Sequence, residues 1–227
     1  MEGIDGLIRR GETMNIVDRP TVPKHEITPL SAEQVSKLIE TAKSDRIYTL
    51  LVLAVFSGLR QGELFGLEWN DVDMKAASLM VRRTVVDLNG VVTTSPPKTN
   101  KGQRLVALPQ LAVVALEAQQ ERLKAEGMDH SPLVFPAADG GYQRRFGPFR
   151  EEFKAILKRA GLPAIRFHDL RHSSATLLLS EGVHPKIVQE RLGHSTIGIT
   201  MDTYSHILPS MQRGAVDRLD ALFKKTS

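Results

Sequence analysis

The 227-residue chain is predicted to be an α+β protein, mostly helical, with one small three-stranded antiparallel sheet. Three observations carry this. Apolar residues recur at helical spacing over residues 31–64 and again from 110 onwards, glycines at 58, 127, 161, 182 and 193 punctuate those segments, and between Ala77 and Leu108 the texture changes to short β-branched runs.

Taken in order, residues 1–27 include Pro20 and Pro23 and show no apolar periodicity, so they read as a tether or the remnant of an interdomain linker. The folded domain is expected over 28–227. Ser31 followed by Gln34 is a capping-box pattern, and Val35, Leu38 and Ile39 align on one face, which predicts a helix over 31–43. A more buried helix follows at 47–56 and stops at Gly58; a short one carrying Glu63 and Leu64 begins soon after. The runs 81–86, 90–94 and 104–108 predict the three strands, the first hairpin turning at Asn89-Gly90. Helices are then expected at about 110–126, 143–160, 169–181, 185–192 and 196–204, with a tail helix at about 209–224.

Composition narrows the function. Hydrophobic residues make up 41% of the chain, enough to bury one core. The absence of cysteine excludes disulfides, thiolate metal sites and cysteine nucleophiles, and fits a reducing cytoplasm. The N-terminus lacks the apolar centre of a signal peptide, and the longest apolar run, 49–56, is too short to cross a bilayer, so a soluble protein is expected. The net charge of +4 is unevenly spread: residues 141–227 carry 14 Lys and Arg against 8 Asp and Glu, while residues 1–140 carry 16 against 18. A basic C-terminal part suits a polyanion, although solvated helix faces explain it equally well.

Three clusters bear chemistry. In HDLRH at 168–172, His168 and Arg171 leave one face of a helix start, where free N–H groups favour an anion. The alternative is structural, with Arg171 paired to an acid and His168 acting as a cap. His168 and His172 also have the spacing of a zinc pair, but neither the glutamate of a zinc-protease motif nor a third ligand accompanies them, and His172 is assigned to packing. In SGLRQGEL at 57–64, Arg60 leaves an apolar helix with Glu63 three residues on as its partner, and some guanidinium donors remain for a phosphate. The loop PPKTNKG at 96–102 presents Lys98, which alone reads as a solubility residue. Beyond these, Gly193 ends a helix, His194 sits in the connection, and Tyr204 closes the next short helix.

Two arginines, two histidines, a lysine and a tyrosine, with no carboxylate cluster for magnesium, can neutralise and position a phosphoryl group. A tyrosine with an ordinary pKa of about 10 then needs a base or a cationic surrounding to attack.

The ordered series GLRQGEL at 58–64, PKT at 97–99, HDLRH at 168–172, LGH at 192–194 and Tyr204 in DTYSH resembles the catalytic domain of the tyrosine recombinases of the phage integrase type. WNDVD at 69–73 and RLVALP at 104–109 are also similar to the family pattern. The resemblance covers roughly residues 28–215 and implies a DNA strand transferase without cofactors. By it, Tyr204 attacks the scissile phosphate to form a 3′-phosphotyrosine, Arg60, Arg171 and His194 hold the non-bridging oxygens, and His168 assists proton removal. Lys98 protonates the leaving 5′-oxygen, Lys101 competing for that position, and Glu63 supports Arg60. It further implies double-stranded DNA at recombination sites as partner, a homotetramer on DNA with a monomer in its absence, a directionality factor, and a cytoplasmic, nucleoid-associated location. Family members carry a further DNA-binding domain before this one, so the chain is expected to be an isolated catalytic domain. Its tail helix is expected to pack on a neighbouring protomer or on its own domain. Two other readings stand beside the recombinase: a DNA-binding or regulatory module of the same fold, and a type IB topoisomerase-like nicking-closing enzyme.

Overall fold

The computed structural model describes residues 28–88, 91–96, 102–144, 146–204 and 208–224, the side chains at 208–211, 222 and 224 excepted. The expected tether therefore lies outside the described residues, as do the Asn89-Gly90 turn, Lys98 and Lys101.

The helix α1 (Ala32–Thr41) opens on the expected capping box: Ser31 Oγ accepts from the Gln34 N–H and the Gln34 side chain accepts from the Ser31 N–H. Its apolar face, Val35, Leu38 and Ile39, rests on the helix α2 (Tyr48–Ser57). The sequence of α2, YTLLVLAVFS, is apolar on every face, and so it becomes the buried centre of the molecule. The short α3 (Gln61–Phe65) follows after Gly58. The long α4 (Gln110–Ala125) packs on α2, where the Thr49 hydroxyl donates to the Ala115 carbonyl at 2.9 Å.

The helix α5 (Phe149–Arg159) begins six residues later than expected. Tyr142 is held in a bridge to Pro136, and a proline disfavours helical geometry in the residue before it, so the helix starts only after Pro148. Phe149 then joins a chain of edge-to-face contacts, Phe65 to Phe149 to Phe167 to Phe153, with ring centroids 5.1–5.6 Å apart. The remaining helices are α6 (Asp169–Ser180), α7 (Pro185–Leu192), α8 (Ile197–Thr203) and α9 (Leu208–Lys224). α6 covers the other side of α2, and α9 contacts α6 of its own chain. Val216, Leu219 and Phe223 of α9 stay exposed. No helix among the described residues is long and apolar enough to cross a membrane.

A three-stranded antiparallel sheet is present, but its membership differs from the expected one. It consists of β1 (Val72–Asp73), β2 (Ser78–Val81) and β5 (Arg104–Ala107), while β3 (Thr84–Leu88) and β4 (Val91–Ser95) form a separate two-stranded hairpin. The run that reads as one strand from Val81 to Val86 breaks at Arg82-Arg83, because both side chains turn away to buried Asp71: Arg82 Nε lies 3.0 Å from one carboxylate oxygen and Arg83 Nη1 2.5 Å from the other. Arg83 also donates to the Gly66 carbonyl at 3.0 Å. The break swings the hairpin onto α3 at Gly62, where a Cβ would lie 2.6 Å from both Thr84 Oγ1 and the Val85 carbonyl. The second glycine of GLRQGEL is thus a close approach that only glycine permits.

Candidate active site

The site is built around the C-terminal end of α7. A helix leaves its last carbonyls without partners inside the helix, and the dipole gives that end partial negative charge. Here three arginines from three distant segments supply donors to three consecutive carbonyls. Arg104 Nε donates to Arg191 at 2.7 Å, Arg171 Nη2 to Leu192 at 2.6 Å, and Arg60 Nη2 to Gly193 at 3.3 Å. Gly193 holds φ at 67°, and a Cβ there would lie 2.8 Å from Arg104 Nη1, so the turn needs glycine twice over.

The three guanidiniums are fixed further. Arg171 is buried on α6, and its Nη1 donates to the Gly58 carbonyl at 2.7 Å. Arg60 and Arg104 share Glu63, whose side chain is only 4% exposed; Oε1 accepts from Arg60 Nη1 at 2.9 Å and Arg104 Nη1 at 3.1 Å, and Oε2 from Arg104 Nη2 at 2.9 Å. Burial alone would raise the Glu63 pKa, but the hydrogen bonds and charge of Arg104, with Arg60 behind them, outweigh it and hold the carboxylate ionised. Burial, then repulsion from Arg60, pulls Arg171 down to about 9, which leaves it cationic at neutral pH. Each guanidinium has five donors, so Arg171 and the half-exposed Arg60 keep several for a ligand.

His194 follows the glycine turn, and its Nδ1 lies 2.8 Å from the Thr200 hydroxyl of α8. Tyr204, just past α8, is 3% exposed, packed with Ala175, Leu179, Val188 and Leu192. Its hydroxyl is 2.9 Å from His172 Nδ1. The tyrosine is therefore docked inside its own domain. Burial pushes it up to about 12, Arg171 opposing, so it stays protonated at neutral pH. His168 is exposed at the start of α6, its ring edge-on to His172 with centroids 5.2 Å apart. Although the residue as a whole is exposed, its ring is partly covered by His172, and the water lost there, then Arg171, lowers its pKa; His172 and His194 are both pulled to about 4 by burial and neighbouring cations. Asp169 accepts from the Arg166 N–H at 2.9 Å and pairs with its guanidinium, which fixes the entry to α6.

Of the residues expected from sequence, Arg60, Glu63, Arg171 and His194 meet at the α7 terminus, and Tyr204 packs beside it on Leu192. His168 stands beside His172 instead of contacting the tyrosine hydroxyl directly. Two participants were not expected. His172, assigned to packing, holds the tyrosine hydroxyl, and Arg104 ties Glu63 to the α7 turn. Among the described residues no group of His, Asp or Glu could hold a metal ion.

The neutral imidazoles make stability depend on pH. The unfolded chain binds protons on His172 and His194 from about 6.5 downwards, while the folded chain resists until about 4. Unfolding therefore takes up protons in that window, and the thermal midpoint is expected to fall as pH drops from 6.5 to 4. The His194→Gln variant should show a shallower fall in a melting series over the same range; an unchanged slope would contradict a neutral His194.

The profile of the Phage integrase family matches residues 29–211. The chain is 35% identical over 215 residues to a Tyrosine recombinase XerC-like protein of Caldanaerobacter subterraneus, covering 87% of this chain and 55% of the relative. It is 31% identical over 196 residues to the ICEBs1 integrase of Bacillus subtilis, covering 84% and 53%. The chain thus spans about half the length of the curated relatives it matches. In fold it is similar to the Tn1549 transposon integrase solved with circular intermediate DNA, at TM-score 0.73 and 23% identity, covering 87% of this chain and 68% of that one. It is also similar to the XerA recombinase, at TM-score 0.69 and 25% identity, covering 86% and 66%.

Proposed function

The chain belongs to the phage integrase family, and from that membership we propose that it is a site-specific DNA recombinase that cleaves and rejoins strands through a 3′-phosphotyrosine without metal or ATP. Arg60, Arg171 and His194 hold the non-bridging oxygens of the scissile phosphate, and Tyr204 is the nucleophile. Lys98 protonates the leaving 5′-oxygen, His168 assists in taking up the tyrosine proton, and Glu63 positions Arg60. The phosphotyrosine keeps the energy of the phosphodiester, so a 5′-hydroxyl of a second strand can reverse the step and complete an exchange. Double-stranded DNA is the partner, drawn to the net positive C-terminal part, and paired sites call for a tetramer. A directionality factor and a cytoplasmic, nucleoid-associated location belong to the same reading.

The observation that carries this reading is the convergence at the α7 terminus. Segments more than 100 residues apart deliver two fixed guanidiniums with donors to spare, an imidazole follows in the same turn, and the buried tyrosine packs beside them. Two guanidiniums do electrostatically what a metal does in other phosphoryl-transfer sites. Incubation of the chain with a pool of nicked duplexes of random sequence should therefore trap a protein–DNA adduct that survives SDS, and the yield should be the same in EDTA. An absent adduct would overturn the reading; an adduct lost in EDTA and restored by magnesium would overturn its metal-free chemistry.

A further inference from the structure

The buried end of Tyr204 has one polar neighbour that the sequence assigns no chemistry. His172 follows Arg171 directly, so the element that buries the arginine also fixes the imidazole. Its Nδ1 lies 2.9 Å from the tyrosine hydroxyl, and the rings are tilted by 55° with centroids 5.9 Å apart. A phenol donates to a ring nitrogen that holds a lone pair and accepts from one that holds a proton. For Tyr204 to donate, Nδ1 must hold a lone pair, which is the tautomer with the proton on Nε2. Burial first, then His168 and Arg171, disfavour the imidazolium, so at neutral pH one of the two ring nitrogens of His172 holds a lone pair, and the Nε2–H tautomer places it on Nδ1, facing the hydroxyl. His168 stands beyond His172, the two rings perpendicular with centroids 5.2 Å apart, so its share in taking up the proton is an indirect one, exerted through the imidazole that touches the hydroxyl.

We propose that His172 is a catalytic residue, its Nδ1 taking the proton of the Tyr204 hydroxyl as that oxygen attacks phosphorus. The inference rests on the reading of Tyr204 as nucleophile. In the step, the phenolic O–H bond breaks and its proton moves to Nδ1, leaving His172 an imidazolium. The oxygen electron pair forms the new O–P bond, and the P–O5′ bond breaks with its pair on O5′, which the general acid protonates. Rejoining runs the other way, with the imidazolium returning its proton to the departing phenolate. The positive charge formed on His172 lies next to Arg171, which alone would resist it. The phosphodiester anion bound by the same arginine offsets that repulsion, so the base gains strength when substrate is in place.

A merely structural His172 would only satisfy a buried hydroxyl, a task glutamine can perform by offering a carbonyl oxygen at similar reach. Glutamine cannot accept the proton. In single-turnover reactions with the duplexes captured from the nicked pool, His172→Gln and His172→Ala should each form the adduct about 10²–10⁴-fold more slowly. Added imidazole should speed the alanine variant at least about tenfold, within the range a positioned base supplies, while leaving the glutamine variant unchanged. His172→Gln at the parental rate, or an alanine variant that imidazole does not help, would overturn the proposal while the parental adduct still upheld the tyrosine as nucleophile. If the alanine variant fails to fold, the glutamine variant decides alone. A parental chain that traps no DNA would instead sink the recombinase reading itself.

Discussion

Tyr204→Phe should leave the fold in place and abolish the SDS-stable adduct. The substitution removes one hydroxyl and no packing atoms, so the ring stays among Ala175, Leu179, Val188 and Leu192. The loss of its hydrogen bond to a half-buried imidazole should cost only about 1 kcal/mol of stability. The chemical loss is of another order, because the missing oxygen is the atom that bonds to phosphorus. The chain has two other tyrosines. Tyr48 opens α2, and Tyr142 is held in the bridge to Pro136, so neither stands at the α7 terminus. Duplex binding, measured by mobility shift, should be retained, since the arginines are untouched. A phenylalanine variant that traps as much DNA as the parent would remove Tyr204 from the mechanism.

The helices were legible from sequence because each is written locally. Ser31 and Gln34 cap α1, and the positive-φ glycines at 58, 127, 161, 182 and 193 mark the stops. Sheet membership was not legible, since the run from Val81 to Val86 has one uniform β-texture. What divides it is the pull of Asp71, ten residues upstream, on two adjacent arginines. The same limit explains His172, whose partner lies 32 residues away and is brought to it only by the packing of α8 and its end against α6 and α7. Arg104 did carry a signal. It shares the buried side of its strand with Val106, while Leu105 is 64% exposed, and a cation at an inward position demands an acid. That acid was Glu63, already assigned to Arg60.

The site therefore depends on one carboxylate with two duties, and Glu63→Gln should separate them. The side chain of Arg104 is only 7% exposed and that of Glu63 4%, so the amide leaves a guanidinium buried without neutralisation. Breaking one partner of such a pair costs about 3–5 kcal/mol, a large share of the 5–15 kcal/mol that holds an ordinary domain together. A clear drop in the thermal midpoint is expected, with slower adduct formation as Arg60 loses the carboxylate charge 2.9 Å from its Nη1. Stability alone could account for both effects, and Glu63→Leu combined with Arg104→Met tells them apart. Replacing a whole buried pair with apolar groups is often neutral or stabilising, so most of the lost stability should return. Cleavage should not, because Arg60 still lacks the anchor that aims it across Gly193, and a misplacement of about 1 Å at a positioning group can cost about 10²-fold. Single-turnover rates and melting curves on the three proteins decide the matter. A double variant that is both stable and as fast as the parent would show that Glu63 only balances the charge of Arg104, and a Glu63→Gln variant that melts with the parent would show that it does not do even that.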